Sequence, residues 1–573
     1  MIQLLYYAKK YRKQIILGPF FKFLEAVFEL ILPLLMAALV DRGIRMNDRQ
    51  TVWSMTGWMI LMSVIGLICA VICQYYASIA SQGFGTELRN QMMKKINSLS
   101  HSELNRFGTD TLITRMTNDI NQMQLALAML IRLVVRAPFL SIGAVIMAFV
   151  IDWQIGMIFL FTLPLFCLVL FWIIRKTVPL YQQVQKKVDQ LNEWIAQNLS
   201  GIRVIRAFVQ TKKETDRFDR SADEQARISV KVTNLSALLT PATTLIMNLG
   251  ILLVFYIGGF KVDTGRLAQG EVLALVNYMN QMLLALIVVS NLVVIFTRAA
   301  ASAERINEVL ATDAVIQDQS GWTGTAGAPA SIDFEQVDFR FADSFGLALQ
   351  DISFSIPAGT TIGITGPTGS GKSAVTQLIP RFYDVAAGAV KVDGIDVREW
   401  QLSALRKKIA LVPQTAVLFS GTIRENLQWG KENATDEDCW RALTIAQCRE
   451  FVEALPDQLD TPIFEGGQNF SGGQKQRLTI ARALIAEPDI LILDDSLSAL
   501  DYQTDLNLRQ ALKKERKSTV LIISQRIRSI QSADQILVFD QGHLLAKGTH
   551  EALLEQSKEY QEIVHSQEEN THE

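Results

Sequence analysis

The sequence predicts a membrane α-helical bundle of six transmembrane helices followed by a C-terminal α/β P-loop domain. Three observations carry that expectation. The first ~300 residues hold six apolar runs, at roughly 15–40, 55–80, 129–151, 155–178, 237–260 and 272–297, each long enough to cross ~30 Å of hydrocarbon. Near the middle, Gly366, Pro367, Thr368, Gly369, Ser370, Gly371, Lys372 and Ser373 form a glycine-rich loop between a strand-like run at 361–365 and a helix-like run at 374–379. From Ser331 onward strand-like and helix-like segments alternate, the pattern of an α/β domain.

The totals agree. A chain of 573 residues exceeds one domain. Its net charge of −2 gives no global field that would draw in nucleic acid. Cys69, Cys73, Cys167, Cys439 and Cys448 form no C-x-x-C pair and no even framework. Cys69 and Cys73 share a helix face inside an apolar run and read as small packing residues. At the N-terminus Lys9, Lys10, Arg12 and Lys13 follow Ile2, Leu4, Leu5, Tyr6 and Tyr7 rather than precede them, so no cleavable signal pattern is expected. That order suits a short helix at the inner membrane face.

Orientation follows from the connections. Segment 175–232 carries twelve lysines and arginines, and 81–127 adds Arg89, Lys94, Lys95, Arg106 and Arg115. The turn between the third and fourth runs, Asp152, Trp153 and Gln154, has no cation. Arg42, Arg45 and Arg49 run against this bias. The dominant pattern puts the N-terminus, both long connections and the C-terminal domain in the cytoplasm of a cell-membrane, multi-pass protein. The connections are charged and periodically apolar, so the membrane helices are expected to continue into the cytoplasm, with punctuated patches at 107–119 and 198–208. The expected division is a transmembrane domain at 1–310, a Gly/Ala/Thr/Ser-rich linker at 311–330, a nucleotide-binding domain at 331–565 and a polar tail at 566–573.

Glu25 and Glu29 lie one turn apart inside the first run, with Lys22 just before them. Carboxylates inside a span are costly and are functional candidates. They are therefore substrate candidates that would favour cationic ligands if they face a cavity; an internal Lys22–Glu25 pair or a water-exposed helix end is the alternative.

The glycine-rich loop reads as a phosphate cradle. Glycines let the backbone turn its N–H groups inward, and the following helix adds its positive end. Lys372 is placed for the β- and γ-phosphates, and Ser373 for Mg²⁺. A buried strand-like run at 490–493 ends in Asp494 and Asp495, and Asp494 at such a tip suits Mg²⁺ held through water. Gln414, after the run 409–412, offers a further oxygen to the metal or the attacking water, and Phe341 offers a ring to an adenine. Ser471, Gly472, Gly473 and Gln474 open another helix, a second phosphate-reading device. One nucleotide does not need both devices from one chain, and a head-to-tail pair of domains resolves the surplus.

In this order the motifs resemble those of a half-transporter of the ATP-binding cassette (ABC) exporter family, and the resemblance covers nearly the whole chain. It implies ATP and Mg²⁺ as cofactors, Gln414 as the Q-loop glutamine, 470–474 as the signature and Asp501 as the D-loop aspartate. It also implies coupling helices at 107–119 and 198–208, received by a surface that includes 412–419.

Two positions depart from the family pattern. Where the family has the glutamate general base, this chain has Asp495, one methylene shorter. Where it has the switch histidine, this chain has Gln525, which cannot become cationic as phosphate charge develops. The catalytic pair Asp495 and Gln525 is thus degenerate, while the binding groups are complete. The expectation is one subunit of a heterodimer with a second, homologous half-transporter. This chain lends its signature to the partner's hydrolytic site and moves hydrophobic or drug-like substrates outward. Alternatives of the same architecture are a lipid or peptide exporter, an importer and an ATP-gated channel.

Overall fold

The computed structural model describes residues 2–317, 321–324, 327–341, 346–515 and 518–569. The chain divides into two compact units, one of 1–97 with 110–312, the other of 98–109 with 313–573. The linker expected at 311–330 and the tail expected at 566–573 lie partly outside the described residues.

In the first unit all six apolar runs are helical. The candidate spans are Gln3–Ile44, Arg49–Ser98, Thr109–Ile151, Trp153–Ser200, Thr211–Asp263 and Gln269–Ala311. At 1.5 Å per residue a helix of 50 residues, such as Arg49–Ser98, is ~75 Å long, more than twice the hydrocarbon thickness. The extensions expected from the charged connections are helical, and over Arg49–Ser98 and Trp153–Ser200 they are continuous with the membrane helix. Large apolar side chains such as Leu249, Leu252, Phe255 and Tyr256 stay exposed on the fifth span, as a lipid-facing surface requires.

The tight turn at 152 is held by its own chemistry. Asp152 accepts hydrogen bonds from the N–H groups of Gln154 (2.9 Å) and Ile155 (3.0 Å), capping the fourth span. It also pairs with Lys261 at the end of the fifth span, at 2.5 Å. The first span contains Pro33, which offers no N–H to the Glu29 carbonyl. The sixth span supplies a substitute: Gln281 Nε2 reaches Glu29 O at 3.4 Å, and beside it Tyr278 donates its hydroxyl to Leu30 O at 2.6 Å. A π-helical turn, Arg115–Asp119, interrupts the third span. Its buried Asp119 accepts from Ser302 Oγ at 2.8 Å and from Nε and Nη2 of Arg305 at 2.8 and 2.5 Å.

The short helix His101–Phe107 belongs to the second unit. A Ser100/Glu103 capping box starts it, and Gly108 at φ 75° ends it. It therefore precedes most of the patch read at 107–119, whose remainder already belongs to the third span. In the second connection a compact helix, Ile202–Ala207, falls inside the expected 198–208.

The rest of the second unit is built on strands β1 (Ile332–Phe339), β2 (Leu349–Ile356), β3 (Thr361–Thr365), β4 (Ala387–Val392), β5 (Ile395–Asp396), β6 (Ile409–Val412), β7 (Gly421–Thr422), β8 (Pro462–Ile463), β9 (Ile490–Asp494), β10 (Thr519–Ile523), β11 (Gln535–Asp540) and β12 (His543–Gly548). The central sheet runs β12-β11-β3-β10-β9-β6, parallel except for β12. A second sheet, β2-β1-β4-β5, is antiparallel. Strands β9 and β10 are buried almost throughout, which is why they read as unbroken apolar runs.

Register decides what meets at the sheet's edge. Ile523 pairs with both Ile364 and Asp494, and Val412 pairs with Leu493. The carboxyl ends of β3, β6, β9 and β10 are therefore level, and the loops that follow them open into one crevice, where ligands of parallel α/β sheets bind.

Candidate nucleotide-binding site

The loop after β3 has the backbone that a phosphate cradle needs. Gly366, Gly369 and Gly371 take φ values of 146°, 83° and 99°, which side-chain-bearing residues rarely adopt. At Gly366 a Cβ would also lie 2.0 Å from Phe539 O. Lys372 opens the helix Lys372–Leu378 and is buried; its ammonium donates to Gly366 O (2.9 Å), Pro367 O (2.7 Å) and Ser370 Oγ (3.2 Å). Burial holds its pKa below the ordinary lysine value, against the pull of Asp495 and Asp494. Ser373 is exposed beside it.

Four groups from other strand ends converge here. Asp494, at the tip of β9, accepts from Thr376 Oγ1 at 3.3 Å. Asp495 accepts from Gln414 Nε2, after β6, at 3.1 Å. Gln525, after β10, reaches Thr368 Oγ1 in the loop at 3.4 Å. Burial raises the pKa of both aspartates, and for Asp494 the neighbouring Asp495 adds to the rise. Asp495 also sits at φ 47°, with its N–H on Ile523 O and its carbonyl accepting from Ser498 Oγ. A left-handed backbone at a non-glycine residue is uncommon and is held here from both sides.

Phe341 packs edge-on against Phe339 and Tyr383, with ring centroids 4.7 and 5.4 Å apart. Tyr383 in turn accepts from Asn105 Nδ2 at 3.0 Å, and the next-door Phe382 lies 4.4 Å from the His101 ring. Burial, then the charge of Arg406, lowers the pKa of His101. Sequence reading missed these neighbours, together with Thr376 and Gln567. Gln567 accepts from Ile527 N–H and donates to Gln525 O at 2.6 Å, so the chain end docks on the loop that carries Gln525. The Ser100/Glu103 box was legible in the sequence, whereas Tyr383 and Gln567 had no local signal.

The signature residues stand apart. Ser471 caps the helix Gly472–Leu484, receiving Gln474 N–H at 3.3 Å and donating its own N–H to Gln474 Oε1 at 2.9 Å. Among the described residues no hydrogen bond joins Ser471, Gly472, Gly473 or Gln474 to the phosphate loop. Asp501 caps the next helix through Thr504, accepting from its N–H (3.0 Å) and hydroxyl (2.7 Å); these bonds lower its pKa.

The donor set suits ATP with Mg²⁺. Among the described residues no three His, Cys, Asp or Glu cluster as a protein-only metal cage. One hydroxyl (Ser373), one carboxylate (Asp494) and one amide oxygen (Gln414) fit a small hard cation that keeps waters and phosphate oxygens.

The membrane candidates are both paired. Glu25 accepts from Lys22 at 2.7 and 2.8 Å, and Glu29 from Arg136 at 2.8 and 3.0 Å. Neither carboxylate carries the uncompensated negative charge that a preference for cationic ligands requires.

Two family models match in tandem: the ABC transporter transmembrane region over 15–286 and the ABC transporter domain over 349–498. An ABC transporter ATP-binding protein of Bacillus subtilis, YfiB, is 39% identical over 95% of this chain and 94% of its own length. A probable multidrug resistance ABC transporter ATP-binding/permease protein of the same organism, YheI, is 32% identical over 83% of this chain and 81% of its own. Among solved structures, a bacterial Atm1-family ABC exporter with ATP bound matches with a TM-score of 0.82 at 23% identity, covering 97% of this chain and 99% of that one. The chain belongs to the ABC transporter family, a half-transporter of exporter fold whose transmembrane region and ATP-binding domain are fused and whose ATPase is coupled to transport.

Proposed function

We propose that this chain is one subunit of a heterodimeric exporter, driving hydrophobic or drug-like amphiphiles out of the cell with ATP bound in its cytoplasmic domain. The observation that carries the reading is the contrast at the crevice. Lys372, Ser373, Asp494 and Gln414 keep the groups that hold Mg–ATP, while the residues that cleave it are Asp495 and Gln525. A general base must come within ~2.6–3.2 Å of the proton it takes, directly or through one water. Asp495 has the shorter side chain, and its carboxylate is already engaged by Gln414 at 3.1 Å. Gln525 donates a neutral hydrogen bond and supplies no positive charge to the transferring phosphoryl group.

In this mechanism Lys372 would exchange the loop carbonyls for the phosphates, Phe341 would offer its ring to the base, and Ser373, Asp494 and Gln414 would hold Mg²⁺, whose charge would offset that of the phosphates. The signature at 471–474 closes on the partner's nucleotide, with Asp501 beside it. Closing and reopening of the two domains shifts the membrane helices between inward- and outward-facing states. The multidrug description of YheI supports the drug-like substrate class.

ATPase activity of co-purified complexes tests the reading. Asp495→Asn is expected to leave most turnover, and Glu→Gln at the partner's equivalent position to abolish it. The reverse outcome, or purification of a fully active homodimer, removes the asymmetric assignment.

A further inference from the structure

We propose that Arg132 anchors anionic headgroups and so selects amphiphiles bearing a phosphate or carboxylate; this rests on the exporter reading above. The first three spans meet at this point. A Cβ placed on Gly18 would lie 2.6 Å from Ile131 Cγ2 and 3.8 Å from Tyr76 Cβ, so the helices touch where only glycine fits. Around that crossing stand three cations, Lys22, Arg132 and Arg136, and two carboxylates, Glu25 and Glu29. Lys22 pairs with Glu25 and Arg136 with Glu29. Among the described residues that leaves Arg132 as the surplus charge. Among the described residues its one hydrogen bond runs to Ser78 Oγ at 3.2 Å, and its Nε is buried without a partner.

Two further features give that charge a use. Arg132 lies in a π-helical turn, Leu130–Val134, a widened turn of the kind concentrated at functional sites. Twenty residues separate it from the Asp152 turn, or ~30 Å of helix, about the thickness of the hydrocarbon. With that turn at one membrane face, Arg132 sits at headgroup level on the other, where an amphiphile presents its charge while its tail stays in the apolar layer. A guanidinium offers five donors in a planar fork that matches phosphate and carboxylate oxygens. Ser78 adds a hydroxyl beside it.

The test uses the assembled transporter in phosphatidylcholine vesicles and three fluorescent probes with one common acyl tail. Their headgroups are a phosphate monoester, a phosphocholine and a quaternary ammonium, and ATP-dependent movement between leaflets is read by quenching. The phosphate probe is expected to move fastest. Arg132→Gln should lower the ratio of phosphate to phosphocholine transport about tenfold, the loss of a charge-assisted contact, and Arg132→Lys should keep most of it. Because the ratio is taken within one preparation, a smaller folded fraction does not alter it. Equal transport of all three probes by the unsubstituted protein, or an Arg132→Gln loss shared equally among them, overturns the assignment and leaves the exporter reading intact. If none of the probes moves while ATP is hydrolysed, both fall. An effect of Arg132→Gln seen only after phosphatidylglycerol is added, with the probe ratio unchanged, makes Arg132 a contact for bulk lipid and overturns the assignment as well.

Discussion

Gln414 Nε2 lies 3.1 Å from Asp495 Oδ2, so the residue offered by β6 holds the carboxylate offered by β9. The contact places the shortened side chain against an amide, beside Lys372 and the phosphate loop. It turns the departure at 495 into a geometric one, with consequences for rate.

Restoring reach should restore chemistry. In complexes whose partner base has been removed, Asp495→Glu and Gln525→His are each expected to raise ATPase activity on the order of tenfold, and together on the order of a hundredfold, since a placed base and a cationic donor act on the same transition state. Steady-state phosphate release measures both.

Lys372 must exchange three hydrogen bonds within the loop for the phosphates. Lys372→Ala should weaken nucleotide binding at this site at least tenfold, the loss of a charge-assisted contact. Photolabelling with an azido nucleotide, resolved by subunit, reads it directly.

The two aspartates have a signed pH dependence. Burial raises their folded-state pKa values. Their contribution to stability is therefore complete below the ordinary carboxylate range and is lost as pH rises through the raised values. Mg–ATP offsets that loss by neutralising the pair. The increase in Tm on adding Mg–ATP should be larger at neutral pH than near the ordinary carboxylate range, and Asp495→Asn should flatten the difference.

Tyr278 meets a carbonyl next to the one that Pro33 leaves without a donor. Tyr278→Phe should cost about 1 kcal/mol, the usual net worth of one hydrogen bond, measured by thermal unfolding in detergent.

Asp119 is buried and holds Ser302 and Arg305 together. Asp119→Ala leaves both donors without their acceptor. With Arg305 half-exposed and able to reach water, the loss should be about 2 kcal/mol, below that of a fully buried pair. The same thermal assay checks it.

The membrane bundle was legible because lipid imposes a simple rule. Every backbone polar group must be satisfied within the segment, so a long apolar run has to be helix. The phosphate loop was legible because Gly366, Gly369 and Gly371 take backbone angles that other residues rarely adopt. The short helix His101–Phe107 was written in its capping box and was overlooked beside the more conspicuous glycine patch that follows. Charge balance around Glu25 and Glu29 was only half legible: Lys22 is a neighbour in sequence, whereas Arg136 comes from another span.

By itself, then, the sequence determined the two-part architecture, the phosphate cradle and the chemical identity of the altered cleavage residues, all properties of local pattern. The tertiary structure alone decided that Thr368 meets Gln525, that Gln414 meets Asp495, that Gln567 docks behind Gln525, and that Arg132 is left without a carboxylate partner among the described residues. Those outcomes depend on parallel register and helix crossings, which bring together residues far apart along the chain, and no local periodicity encodes such distances.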